Sequence, residues 1–365
     1  MNKQLRALYA MHSIDWFASV LIGIFVPIYF LSLGFTLAEI FIYFIILCAG
    51  FVGAFFIAGQ VANRYGLKEC LIIRLPFKYL QLALLFFLPQ YSFLLYAVAI
   101  INAVQVGFYW FPFHVIFAQN SSRKKLGKEV GRMGAFPQMG SVVAPLAGAF
   151  ITASFGFNYL FLAAGILHLF TLIPFYYLKN WQSSVRFHPS VIFEMFKKYK
   201  KFFGLMVVSS GVAEVEGVIL PIFVYLTFAN IISVGTIGAF AGVGAVFFTL
   251  LVGRFADSYR KEKIMKIGAS VMIVIWLLRF FHAEIAFYYM LSVVAGFFLI
   301  LINIPLGTIY YGLAKTENID EFVFFREIAV NLGRVITYSL ALAIALKINY
   351  SFLMAAAALL GFLFI

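Results

Sequence analysis

The sequence predicts an all-α polytopic membrane protein of twelve transmembrane helices, arranged as two parallel six-helix halves. Three observations predict it. First, the 365 residues are 64% hydrophobic and only 11% charged, with a mean hydropathy of +1.01; a soluble domain carries about 25% charged residues. Second, apolar runs of about 20 residues, the length needed to cross about 30 Å of hydrocarbon, recur along the whole chain. Third, one charged loop is written twice. "GRFADSYRKEK" at 253–263 carries six charges in eleven residues, and a relaxed copy, "GQVANRYGLKE", stands at 59–69, an offset of 194. A chain this apolar cannot cover itself with polar surface, so the bilayer is its solvent.

The first span, about 7–31, follows a basic start and contains Asp15. It has no small-residue cleavage site, so it is expected to be a retained span and not a signal peptide. Five spans follow at about 37–59, 70–88, 91–117, 130–153 and 157–178. Six more stand at about 202–228, 232–252, 264–280, 285–312, 325–346 and 349–365. In lipid only helices and closed barrels satisfy the backbone, and barrel strands would alternate over about 10 residues; these continuous runs are helices.

The loops alternate in character. One set is tiny and almost uncharged ("LGFT", "LPQYS", "SFGFN", "FAN", "RFFHAE", "KINYS"), and the other is basic. Of the 27 Lys and Arg, 24 are assigned to the amino terminus, the basic loops and their helix ends; Arg279 and Lys347 fall on the other side and Lys78 within a span. That bias predicts cytoplasmic basic loops and two cytoplasmic termini in a plasma (inner) membrane. The net charge of +13 is thereby read as topology selection, with no nucleic acid partner. Cys48 and Cys70 lack metal-type spacing and are expected to be free thiols.

The one long loop, 179–201, divides the chain into an amino-terminal half (1–178), a cytoplasmic linker and a carboxyl-terminal half (202–365). Within the linker, "SVIFEMFKKYKK" is expected to be a basic amphipathic helix on the inner leaflet or a solvated connection. The offset of 194 extends beyond the loop: Gly23 falls on Gly217, Pro27 on Pro221, Ile28 on Ile222 and Gly59 on Gly253. "GKEVGR" and "FREIAVNLGR" pair with a small shift. Parallel six-helix repeats are the pattern of one transporter architecture.

The repeated loops resemble the signature of the major facilitator superfamily, G-x-L-A-D-R-x-G-R-K. The first copy matches with Gly59, Ala62, Arg64, Gly66 and Lys68, and carries Asn63 in place of the usual Asp. The second matches with Gly253, Ala256, Asp257, Lys261 and Lys263; Arg254 follows its glycine, and Arg260 takes the place of the second Gly. The resemblance implies a cytoplasmic gate. Asp257 is expected to latch against Lys128 or Arg132 at the start of span five, and Asn63 to meet the start of span eleven near Arg326 and Glu327. "GSVVAPLAGAF" at 140–150 resembles an element frequent in drug–proton antiporters, through Gly140, Pro145 and Gly148; plain small-residue packing explains it equally well.

The resemblance also implies a central cavity lined by spans one, four, seven and ten. Polar groups inside spans collect there: Asp15 and His12, then Asn102, Gln105 and His114 beside Trp110, then Glu214 and Glu216, then Asn303. Glu214 lies about 17 Å along span seven at 1.5 Å per residue. A carboxylate there costs at least about 2.5–3.5 kcal/mol, so it faces water, pairs with a cation or stays protonated. Glu214 and Glu216 lie about 200° apart around the helix, so only one faces the cavity, and Glu214 is favoured for substrate or proton coupling. Asp15 is expected to pair with Arg132 or Lys128, or to carry protons; Arg334 is expected in the cytoplasmic charge network.

These readings converge on a secondary transporter that exports an amphipathic or cationic compound in exchange for protons. Uptake of a sugar or organic acid is the first alternative, and a non-transporting sensor or assembly factor the second. Organic anions fit less well, because Lys78 is the one basic residue expected deep in the membrane, and on a peripheral span. Neither a nucleotide loop, a metal cluster nor a nucleophile constellation is present in the sequence. No cofactor or enzyme activity is expected, the proton gradient is the energy source, and the protein is expected to work as a monomer with a small-molecule substrate and the lipid bilayer as partners.

Overall fold

The computed structural model describes residues 3–183, 188–282 and 284–364. Residues 184–187 of the linker and Ala283 of the "RFFHAE" loop lie outside the described residues. The described chain is a helical bundle. Its first half comprises α1 (Lys3–Gly23), α2 (Val26–Ser32), α3 (Leu37–Tyr65), α4 (Leu67–Phe87), α5 (Leu94–Asn120), α6 (Leu126–Phe155), α7 (Phe157–Leu169) and α8 (Leu172–Tyr176). The linker forms α9 (Pro189–Lys198). The second half comprises α10 (Lys200–Glu214), α11 (Leu220–Phe228), α12 (Ile231–Ser258), α13 (Lys261–Phe281), α14 (Ile285–Ala314), α15 (Ile319–Ala343) and α16 (Tyr350–Leu359). Among the described residues ten stretches are long and apolar enough to cross a membrane, counting α1 with α2, α7 with α8 and α10 with α11. The charge-bearing α15 and the apolar run Tyr350–Phe364 complete the twelve spans.

Local chemistry sets the breaks. Thr36 and Glu39 form a reciprocal capping box that starts α3, and Asn230 and Asn318 cap α12 and α15. Gly66 turns the chain between α3 and α4 at φ +102°, where a Cβ would collide with Asn180. Span seven is interrupted midway by a π-turn over Val215–Ile219, with Pro221 just beyond it. α6 and α12 pack along their length because small residues bring the backbones together: a Cβ on Gly253 would stand 3.0 Å from Gly131 Cα, and one on Gly242 would stand 2.6 Å from the Ser141 carbonyl. On the other side of the bundle α3 packs on α15, with Phe44 stacked on Tyr338 at 4.8 Å and Phe55 on Phe324 at 6.2 Å.

Candidate functional site

A cavity of about 330 Å³ lies between the first half of the chain and α15. α1 and α2 contribute Asp15, Trp16, Ser19, Ile22, Gly23 and Val26; α3 contributes Tyr43 and Phe44; α5 contributes Asn102, Gln105, Val106, Tyr109 and Trp110. α4 contributes Arg74, Lys78 and Gln81, and α15 contributes Arg334. The α4 residues recur at i, i+4 and i+7, so one helical face presents all three.

The charges on this wall are unevenly matched. Asp15 and Arg74 form an ion pair, and His168 Nδ1 lies 3.0 Å from Asp15 Oδ1. The Arg74 guanidinium also lies 4.2 Å over the Tyr109 ring, and the Tyr109 hydroxyl is 2.7 Å from His12 Nδ1. Asn102 donates to the Tyr43 hydroxyl at 3.2 Å and accepts from Gln105 at 2.7 Å. Lys78 is different. It is only 4% exposed, its Nζ donates to Gln81 Oε1 at a long 3.4 Å, and it forms no ion pair among the described residues. At the second-half wall, Arg334 Nε lies 2.9 Å from Glu214 Oε1, and Tyr338 donates its hydroxyl to Glu214 Oε2.

The bundle is closed at the end where the linker runs. Asp257, in the last turn of α12, accepts from the backbone N–H groups of Gly127 at 2.7 Å and Lys128 at 2.9 Å. A carboxylate there satisfies N–H groups that have no partner within the helix and gains from the dipole. Lys315 donates to the carbonyls of Ala118 and, at 2.9 Å, Ser121. His114 Nδ1 lies 2.6 Å from the Tyr311 hydroxyl, and Arg326, which is paired with Glu327, reaches within 3.3 Å of His114 Nε2. Ser183 joins the end of α3 to the start of α15: its N–H donates to Ala62 O at 3.4 Å and its hydroxyl to Asp320 Oδ2 at 2.7 Å. The contacts of Asp257, Lys315 and His114, and the Ser183–Asp320 hydrogen bond, join the chain before the linker helix to the chain after it.

A family profile for the Major Facilitator Superfamily matches residues 8–213. The chain belongs to the Major Facilitator Superfamily. None of the curated proteins matches it. A solved structure described as that of the human organic anion transporter MFSD10 (TETRAN) is similar over 99% of this chain and 98% of its own, with a TM-score of 0.67 and 12% identity. At that identity the likeness concerns the fold: this is the twelve-span superfamily architecture, in a multi-pass membrane protein.

Within this superfamily fold, several expectations are corrected. The cavity wall draws on spans one, two, three, four and eleven, not on one, four, seven and ten. Arg74, counted with the basic loops, lies two turns into α4 and pairs with Asp15, which therefore meets neither Arg132 nor Lys128. Lys78 is on the cavity and not peripheral. Arg334 lies midway along α15 against Glu214, away from the charge network at the linker end. Glu216 faces away from the cavity and is held by Arg279 Nη1 at 2.6 Å. His114 stands at the closed end, stacked on Trp110 at 5.2 Å, and not on the cavity. Asn303 accepts from Ser209 at 3.2 Å on an exposed part of α14.

The gate-motif residues divide. Asp257 binds backbone N–H groups where side-chain cations were expected. Gly59 is buried in α3, Gly253 is buried against Gly127 and Gly131 of α6, and Gly66 makes the turn. Arg64 lies 5.2 Å over the Tyr65 ring, Arg254 is exposed, and Arg132 is half-buried in α6. Asn63 is in the last turn of α3, and the neighbouring Ser183–Asp320 contact joins that turn to α15. In the span-five element, a Cβ on Gly140 would stand 3.0 Å from Phe17 and one on Gly148 2.6 Å from Phe25, while the Pro145 carbonyl would stand 2.6 Å from one on Gly235. All three positions serve close helix packing.

Sequence reading missed Arg74, His168, Arg334 and Tyr338 as site residues. The available signal was spacing: Arg74, Lys78 and Gln81 form a polar stripe in an apolar span, and Glu327, Asn331, Arg334 and Tyr338 repeat it on α15.

Proposed function

We propose that the chain is a secondary transporter that carries a small amphipathic anion by alternating access. The observation that carries this reading is Lys78, a buried ammonium on the cavity wall that forms no ion pair among the described residues. Asp15 is matched by Arg74 and Glu214 by Arg334, so the surplus charge of the site is positive. An unpaired buried ion costs several kcal/mol, and an anionic solute offsets that cost where a cation would add to it. Trp16, Tyr109 and Trp110 supply flat apolar faces for the rest of the molecule. The cavity volume is at the small end of the range for ligand pockets, about 300–1,000 Å³. The name of the structural neighbour, an organic anion transporter, agrees with this chemistry. Glu214 and Glu216 lend less weight to the cationic compound, because arginines already hold both acids.

In this reading the linker end faces the cytoplasm, as the Lys and Arg bias requires, and the sealed contacts there correspond to one end state of the transport cycle. The proton gradient remains the energy source, with Asp15 and His168 as the hydrogen-bonded pair that would hold the proton. The test is flux in proteoliposomes of purified protein, comparing aromatic carboxylates and sulfonates with aromatic amines. Anions are expected to move and amines not. Lys78→Gln is expected to slow anion flux about tenfold or more, since a charge-assisted hydrogen bond is worth about 1.5–3 kcal/mol. Flux of amines without anions would overturn the reading.

A further inference from the structure

The cavity has a second cation, and its surroundings differ from those of the first. Arg334 Nε lies 2.9 Å from Glu214 Oε1, and the alignment there falls short of a hydrogen bond, since Nε has no bonded partner. Among the described residues no hydrogen bond to the protein is made by either terminal nitrogen of Arg334. Its side chain is 29% exposed, and it is the one contribution of the second half to the cavity wall. A guanidinium presents a planar fork that matches an oxyanion with two parallel hydrogen bonds. Here the fork is left open on the cavity side.

Glu214 is arranged to give up part of its hold on Arg334. It keeps the Tyr338 hydroxyl on Oε2, so a competing anion would not strip it of every donor. The π-turn of span seven begins at the next residue, Val215; such turns leave slack in the helical ladder and mark functional sites.

Resting on the anionic reading above, we infer that Arg334 is a second anion subsite, and that the preferred solute carries two anionic groups, one met by Lys78 from the first half and one by Arg334 from the second. A solute of that kind joins the two halves through its own charges. A monoanion engages Lys78 alone and leaves Arg334 with Glu214.

The test uses the full chain in detergent micelles and follows quenching of tryptophan fluorescence, since Trp16 and Trp110 both line the cavity. The probes are naphthalene-1,5-disulfonate and naphthalene-1-sulfonate, which stay ionised at any working pH. The disulfonate is expected to bind at least tenfold more tightly. Arg334→Gln should abolish that advantage, weakening the disulfonate far more than the monosulfonate, and Arg334→Lys should restore part of it. Glu214→Gln, which removes the competing carboxylate, should tighten the disulfonate further and serves as the readout if Arg334→Gln does not fold. Lys78→Gln should weaken both probes. If Arg334→Gln weakens both probes equally, or Glu214→Gln leaves the disulfonate unchanged, the second subsite is wrong while the anionic reading stands. If Lys78→Gln leaves both probes unchanged, the anionic reading itself fails.

Discussion

Glu214 and Glu216 are two residues apart on the same span, yet they have opposite environments. Glu216 meets Arg279 in a bidentate pair, Nη1 at 2.6 Å and Nη2 at 3.2 Å, with Ser292 adding a contact to Nη2 at 3.1 Å. Trp276 lies against that guanidinium at 4.8 Å, and none of the Arg279 side chain is exposed. Glu214 meets Arg334 edge-on, beside a cavity, with the guanidinium fork open. The first pair commits both terminal nitrogens of its arginine, leaving only the buried Nε without a partner, and acts as a rivet between spans seven and nine. The second holds capacity in reserve. The residue types are the same, so what separates structure from site is how many donors the protein leaves unused.

The sharpest way to break this comparison is to remove each arginine in turn. Arg279→Gln would leave Glu216 buried without its partner, and breaking a buried pair costs about 3–5 kcal/mol. It is expected to lower the thermal unfolding midpoint in micelles severely, whereas Arg334→Gln, at a partly exposed side chain, should lower it far less. Equal losses would make both pairs structural. A double replacement, Arg279→Met with Glu216→Leu, should recover most of the loss, because an apolar pair of similar volume removes the desolvation cost.

A smaller effect is expected where a carboxylate meets backbone dipoles and not a cation. Asp257→Asn keeps an acceptor at the start of α6 but removes the charge, worth about 0.3–1 kcal/mol at an exposed helix terminus. If that cap closes the linker end, the closed population should fall by about two- to fivefold relative to the open one. Spin labels introduced by Ser122→Cys and Glu262→Cys would read the separation of the two halves; Cys48 and Cys70 are buried and compete poorly for label. An unchanged distance distribution would reduce Asp257 to a local cap.

The contrast between these sites also explains what was legible in the sequence. The twelve spans, the doubled loop and the long connection follow from hydropathy and repetition, which the bilayer imposes on every residue of a span. Gly253 and Asp257 were legible because close packing and helix capping accept few residue types. Arg74 and Arg334 were misplaced because a sliding reading of hydropathy assigns a charge to the nearest span end. α4 begins at Leu67 and α15 at Ile319, so both arginines lie well inside. Their partners, Asp15 and Glu214, come from other helices, and no pattern along one helix reveals a pairing across two. The stripe of Arg74, Lys78 and Gln81 was visible, but its meaning depended on which face of α4 the bundle turns inward.

At the exposed end of this series stands the linker tether. Lys198 donates to Glu317 at 2.6 Å, and Tyr199 donates to the same carboxylate oxygen at 2.5 Å. The hydrogen bond from Lys198 holds the Glu317 carboxyl below its ordinary range, and the same bond holds the Lys198 ammonium above its own. The signs give a window. A carboxyl with a lowered folded value contributes above its unfolded value and loses that contribution as pH falls through the folded one; the ammonium loses its own only as pH rises through its raised value. The tether therefore holds across neutral pH and weakens first in acid. Both groups face solvent, so the effect is expected to be the smallest of the series. Met195 is buried and keeps α9 seated in either case. Hydrogen exchange of the α9 amides should quicken modestly in acid, and Glu317→Gln should reproduce that quickening at neutral pH. If exchange in Glu317→Gln matches wild type, the apolar seat of α9 holds the linker by itself and the ion pair contributes nothing.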